Sequence, residues 1–232
     1  MKVEIFDSAE AASRAAAACI AREARDCIAA RGGFSVAFSG GNTPAPMWRA
    51  LANERLGWRD VDVFQVDERV APAGHAERNL TGLDKHLLAR ATIPAERVHP
   101  MPVEHDDLEA AARAYARSLE SVTGRPAVLD VVHLGIGADG HTASLVPGDH
   151  ALNSDDRDVA VSGIYEGRRR MTLTLPAIDR ARTRVWLVLG AEKSAMLARL
   201  LDGDRSIPAG RVSHNHTHVF ADRAATGHAA QT

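Results

Sequence analysis

Three strongly apolar runs in this chain end on glycine and then turn polar: FSVAFSGG (34–41), AVLDVVHLGIG (127–137) and RVWLVLG (184–190). Strands that end this way and feed helices build an α/β fold around a mainly parallel sheet. The segments between them fit that scheme. VEIF (3–6) reads as a short strand, and Ser8 to Ala30 as a long alanine-rich helix stopped by Gly32-Gly33. Pro44 or Pro46 opens a helix that runs through Leu51. VDVFQVDE (61–68) is the next strand, and Thr81 to Arg90 the next helix. DDLEAAARAYARSLESV (106–122) is amphipathic, with Leu108, Ala112, Tyr115 and Leu119 on one face. DVAVSGIY (158–165) and RRMTLTL (169–175) are close and β-rich, so they are expected to pair. AEKSAMLARLL (191–201) reads as a helix, THVFAD (217–222) as a last strand and RAATGHAAQT as a frayed tail. No linker or repeat interrupts the pattern, and residues 1–232 are read as one domain.

A parallel sheet binds ligands at the carboxyl ends of its strands. Four polar motifs fall at such ends, after 34–38, 61–66, 128–134 and 185–189. Their convergence predicts one active site. Bulk properties restrict what it serves. The net charge of −2 gives no reason to expect nucleic acid or an anionic membrane surface. No apolar run approaches the roughly 20 residues of a membrane span. Glu4, Asp7 and Glu10 interrupt any signal-peptide core, so a cytoplasmic location is expected. Cys19 and Cys27 share a helical segment about 12 Å apart along its axis, too far for a disulfide. Buried free thiols are expected.

The loop HLGIGADGHTASLVPG (133–148) admits two chemistries. Gly135, Gly137 and Gly140 fit G-x-G-x-x-G, the dinucleotide fingerprint, but Pro147-Gly148 leaves barely two turns for the helix that must follow, and Asp139 would repel phosphates. The catalytic reading explains more. His141 can take a proton from water near neutral pH, and a carboxylate two residues earlier can fix its tautomer. FSGGNTP (38–44) suits an anion nest of backbone N–H groups, or equally a plain turn with Asn42 or Thr43 as helix cap. VDERVAP (66–72) sets Asp67, Glu68 and Arg69 at a strand end, as a surface ion network or as a grip on sugar hydroxyls and phosphate. Arg168, Arg169 and Arg170 read as a solvated run. Lys193 lies near a helix start, where the dipole disfavours a cation unless an anion is bound. His214, His216 and His218 alternate, yet no carboxylate or cysteine has the spacing to complete a metal site, and none is predicted.

FSGGNTP, VDERVAP, LGIGADGHTASLVPG, RMTLTLPAI and GAEKSAML occur in this order. Together they resemble the 6-phosphogluconolactonases, relatives of the glucosamine-6-phosphate deaminases, over roughly Val36 to Asp222. The resemblance implies a modified Rossmann-like, NagB-type α/β architecture. It implies hydrolysis of 6-phosphogluconolactone in the pentose phosphate pathway, without metal or cofactor. His141 would be the general base with Asp139 beside it. Gly40, Gly41, Asn42 and Thr43 would form the phosphate or sugar loop, Asp67 and Glu68 would meet the sugar, and Arg69, Arg170 and Lys193 would be the binding cations. The partner is then a phosphorylated sugar lactone, with neither nucleic acid nor membrane; the sequence does not choose between monomer and homodimer. Members of the family often carry Ser or Thr at the position of Asn42, and a Ser-Asn pair where this chain has Arg78-Asn79.

Two other functions compete. Deaminase relatives usually carry a glutamate soon after the DGH motif, whereas this chain has no acid until Asp149. A non-catalytic sugar-phosphate sensor normally carries a DNA-binding segment, for which this chain has no room before Phe34.

Overall fold

A computed structural model describes residues 1–227. Ten strands are formed: β1 (Lys2–Phe6), β2 (Phe34–Phe38), β3 (Val61–Gln65), β4 (Asp67–Arg69), β5 (Val98–His99), β6 (Val131–Leu134), β7 (Val159–Tyr165), β8 (Arg168–Leu173), β9 (Thr183–Val188) and β10 (Thr217–Asp222). Six α-helices accompany them: α1 (Ala9–Arg31), α2 (Ala45–Ala52), α3 (Asn79–Leu83), α4 (Leu108–Thr123), α5 (Leu175–Arg180) and α6 (Ser194–Leu201). Seven strands form one sheet in the order β1-β10-β9-β6-β2-β3-β5. Every pairing in it is parallel, as expected from strands that feed helices.

Helices cover both faces. Ile20 and Ala24 of α1 and Trp48 of α2 pack with Val36, Val131 and Val185 on one side. Tyr115 and Leu119 of α4, Ile178 of α5 and Leu197 of α6 pack with Phe64, Val132 and Trp186 on the other. The predicted face of the amphipathic helix is therefore its buried face: Leu108, Ala112, Tyr115 and Leu119 are all in the core. The caps follow local chemistry. Ser8 Oγ accepts from the Ala11 N–H at the start of α1, and Gly32, at φ 77°, ends it.

The expected strand 61–68 is two strands. Val66 is the hand-over residue: its N–H still donates to Phe38 O in the main sheet, while its carbonyl accepts from Leu173 N–H (2.7 Å). The chain thereby leaves the main sheet and enters an antiparallel one, β4-β8-β7, which the sequence had shown only as the pairing of 158–165 with 169–175. The latter run stops at Leu173, because α5 begins at Leu175 with Pro176 in its first turn. The helix expected over Thr81–Arg90 starts earlier, at Asn79, and finishes as a π-turn over Asp84–Leu88. The tail is not frayed throughout. Ala224–Thr226 form a 3-10 turn with Ala225 fully buried; residues 228–232 of that segment lie outside the described residues. Cys19 is a buried free thiol, whereas Cys27 is only half-buried and accepts from Arg31 Nη2.

From β2 the chain winds outward to β3 and β5; from β6 it winds the other way, to β9 and β10. The strand order thus reverses between β2 and β6. Loops leaving adjacent strands at such a point diverge and open a crevice beyond the carboxyl edge, where α/β sheets bind ligands.

Candidate active site

A cavity of about 190 Å³ opens at that crevice. Ser39, Gly40, Gly41 and Thr43 line it from the loop after β2, and Gly135, Gly137 and His141 from the loop after β6. Asp67 and Arg69 of β4, Arg170 of β8 and Lys193 before α6 complete it. The antiparallel sheet is what carries two of the three cations to the crevice. Arg69 and Arg170 are register partners, directly opposite across β4 and β8. Like charges in that position repel unless an anion lies between them. Arg170 is buried, and its one carboxylate contact among the described residues is Glu166 (2.8 Å). Arg69 spends Nη1 on the Glu77 carbonyl and has a buried Nε with no partner among the described residues. Lys193 makes no ion pair among the described residues.

The loop after β6 folds back on itself and does not lead into a helix. Gly137 N–H donates to His141 O, and Gly140 N–H to Gly137 O. Gly140 takes φ 84°, the left-handed conformation the reversal needs. This closure removes the dinucleotide reading, since no helix N-terminus follows the glycines: the next helical turn is a 3-10 turn at His150–Asn153. It also sets Asp139 against His141. Asp139 Oδ1 lies 2.6 Å from His141 Nδ1 and accepts from the His141 N–H as well. Burial works against the Asp139 charge, but the His141 bonds and the Tyr165 hydroxyl outweigh it and hold the carboxyl below its usual range. An ionised Asp139 fixes the proton on Nδ1 and leaves the Nε2 lone pair free to accept one. Gly137 is the floor beneath the ring: a Cβ there would clash with His141 Nδ1 and Cε1 at 2.1 and 2.2 Å.

Not every residue singled out from the sequence reaches the cavity. Asn42 is exposed and does not line it. Glu68 is fully buried behind the wall, where it accepts from the N–H groups of Arg69, Asn79 and Leu80. Arg78 lies 3.0 Å from Glu68 and 2.7 Å from Glu104. Burial disfavours its charge, yet the two carboxylates raise the guanidinium above its ordinary value. Arg78 is therefore the buried counter-ion of Glu68. Asp67 does line the cavity, held by Ser144 Oγ (2.7 Å) and Asn79 Nδ2. Arg168 is engaged by Glu77.

Three polar lining residues were not assigned to the site from the sequence. Ser39, His133 and Asn79 are buried at the cavity wall, and the Ser39 hydroxyl, both His133 ring nitrogens and Asn79 Oδ1 have no partner among the described residues. Burial lowers His133 to about 3, so its ring is neutral. Nothing in the local sequence marks it, because a histidine inside VVHL reads as one more core position. The alternating histidines behave differently again. Only His218 is on a strand, where it stacks on Phe220, while His216 takes φ 48° in the turn before it. Among the described residues no group of three His, Cys, Asp or Glu side chains is placed to hold a metal ion.

The family described as glucosamine-6-phosphate isomerases/6-phosphogluconolactonase matches residues 7–221. The 6-phosphogluconolactonase of Synechocystis sp. is 36% identical over 203 residues, covering 86% of this chain and 84% of the relative. That of Mycobacterium tuberculosis is 36% identical over 236 residues, covering 95% of both chains. Among solved structures, the 6-phosphogluconolactonase of Trypanosoma brucei superposes with a TM-score of 0.86 at 26% identity, covering 97% of each chain.

Proposed function

Because this chain belongs to the glucosamine-6-phosphate isomerase/6-phosphogluconolactonase family, we propose that it hydrolyses 6-phospho-D-glucono-1,5-lactone to 6-phospho-D-gluconate, with His141 as the base. One observation carries the reading. The Asp139–His141 pair and three cations, two of them opposed in register, meet at a single cavity.

The chemistry follows from that arrangement. Arg69, Arg170 and Lys193 take the 6-phosphate, and its binding energy orients the distant lactone carbonyl toward His141. His141 Nε2 removes a proton from water as the oxygen adds to the carbonyl carbon. The negative charge on the former carbonyl oxygen is stabilised by N–H donors of the glycine loops. As the tetrahedral intermediate collapses, the bond to the ring oxygen breaks. The imidazolium returns its proton to that oxygen, which becomes the product's hydroxyl. The new carboxylic acid then ionises to water. One imidazole thus serves as base and then as acid.

The deaminase alternative needs a further acid beside the histidine. The first one after His141, Asp149, is occupied elsewhere: it accepts from the N–H groups of Ala151 and Gly163. The deciding experiment measures two products from the same preparation. Freshly generated 6-phosphogluconolactone should be hydrolysed well above its spontaneous rate, and glucosamine 6-phosphate should release no ammonia. Ammonia without lactone turnover would transfer the site to the deaminases. Binding of the phosphorylated acid with neither product formed would favour a sensor.

A further inference from the structure

The lactonase reading leaves one contact on the Asp139–His141 pair without a purpose. Tyr165, the last residue of β7, donates its hydroxyl to Asp139 Oδ2 (3.1 Å) and comes within 3.4 Å of His141 Nδ1. Its ring meets the imidazole edge-on, with centroids 5.3 Å apart. The Arg170 guanidinium lies over the same ring, its Cζ 4.8 Å from the centroid, and also donates to the Tyr165 carbonyl. Tyr165 thus touches both halves of the site. The two-residue turn after it enforces this placement. Glu166 (φ 50°) and Gly167 (φ 80°) reverse the chain so that Tyr165 pairs with Arg168, and Glu166 reaches back to Arg170.

We propose that Tyr165 is a positioning residue of this site: its hydroxyl shares the carboxylate that orients His141, while its ring seats Arg170. The proposal rests on the lactonase reading for its kinetic consequences but not for its effect on the imidazole. Asp139 divides its two oxygens, Oδ1 to His141 and Oδ2 to the tyrosine. Without the hydroxyl, Oδ2 loses its donor, and the full carboxylate charge acts on the imidazole. The imidazolium is then favoured, and His141 holds its proton to higher pH. His141 is faced by Asp139 on its own loop and by Tyr165 on β7. Around the cavity the other charged groups are Asp67, Arg69, Arg170 and Lys193. Replacement by phenylalanine changes only the hydroxyl and leaves these in place. A residue that merely filled space would shift no titration.

Two variants of the full chain test this. In Tyr165→Phe, the His141 imidazole, followed by NMR of its ring nitrogens without substrate, should take up its proton at higher pH than in the unaltered protein. The acid limb of kcat/KM should move the same way. Tyr165→Leu removes the ring as well. It should also raise KM for the phosphorylated lactone about tenfold, while KM for unphosphorylated gluconolactone stays the same. A Tyr165→Phe titration and pH profile that superimpose on those of the unaltered protein would overturn the proposal even if lactone turnover is intact. A shifted imidazole titration in a protein that turns over no lactone would uphold the tyrosine's action and dismiss the lactonase reading.

Discussion

Gly137→Ala tests the geometry of the catalytic pair without touching either member. The backbone at Gly137 is not in the left-handed region, so alanine introduces no torsional strain there. Only space objects. The added Cβ would sit 2.1 Å from His141 Nδ1 and 2.7 Å from Asp139 Oδ1, where ordinary contact begins at 3.4 Å. The ring must therefore move by more than about 1 Å, abandoning its 2.6 Å bond to Asp139. A misplacement of about 1 Å in a reacting group costs on the order of 100-fold. The three cations stand on other elements, so KM for the phosphorylated lactone should change less than about threefold. Stability should barely move. Alanine gains about 0.4–1 kcal/mol by restricting the unfolded chain, against about 1 kcal/mol for the lost hydrogen bond. The assay couples 6-phosphogluconate to its oxidation after subtraction of the spontaneous rate, with a thermal melt as control. A Gly137→Ala enzyme with unaltered kcat and an unaltered melt would refute the placement of the imidazole over this glycine and its role as base.

Three further outcomes follow from the same structure. Lys193→Ala should raise KM for the phosphorylated lactone by roughly 10-fold or more, with little effect on unphosphorylated gluconolactone, in steady-state kinetics on both substrates. Glu68→Ala would strand the buried Arg78 charge against Glu104 alone and orphan three backbone N–H groups; it should cost about 3–5 kcal/mol, read as a fall of roughly 10 °C in Tm. His133, lowered to about 3 by burial, stays neutral in the folded chain while the unfolded chain protonates it near pH ~6.5. The unfolded state therefore binds the extra proton, and stability falls as pH drops from about 6.5 toward 3, by up to ~1.4 kcal/mol per pH unit. Urea unfolding at pH 7, 6 and 5 should show His133→Leu lacking that part of the slope.

The elements that depend on local pattern were legible. The strands that end in glycine, the alanine-rich helix with its Ser8 and Gly32 limits, and the buried face of α4 all follow from periodicity and caps. So was the meeting of four strand-end motifs, since a parallel sheet sends them to one edge. The parts that depend on long-range partners were not. VDVFQVDE looks like one strand because nothing in it shows that the Val66 carbonyl turns to Leu173, more than a hundred residues on. The acidic pair in VDER divides, Asp67 to the cavity and Glu68 to the interior, because alternate residues of a strand face opposite ways and Arg78 waits on one side only. Tyr165 carried no signal at all. The arginines that follow it read as a solvated run, and only the fold brings this hairpin over the Asp139–His141 loop.

Proton transfer by His141 is the central step, and its most direct measurement is turnover by His141→Ala set beside its affinity for the product. Subtracting spontaneous hydrolysis, kcat should fall by about 10²–10⁴-fold. Calorimetric binding of 6-phosphogluconate should stay within about twofold of the unaltered protein, because the phosphate cations are untouched. Turnover preserved alongside preserved binding would contradict the account and move the base elsewhere in the cavity.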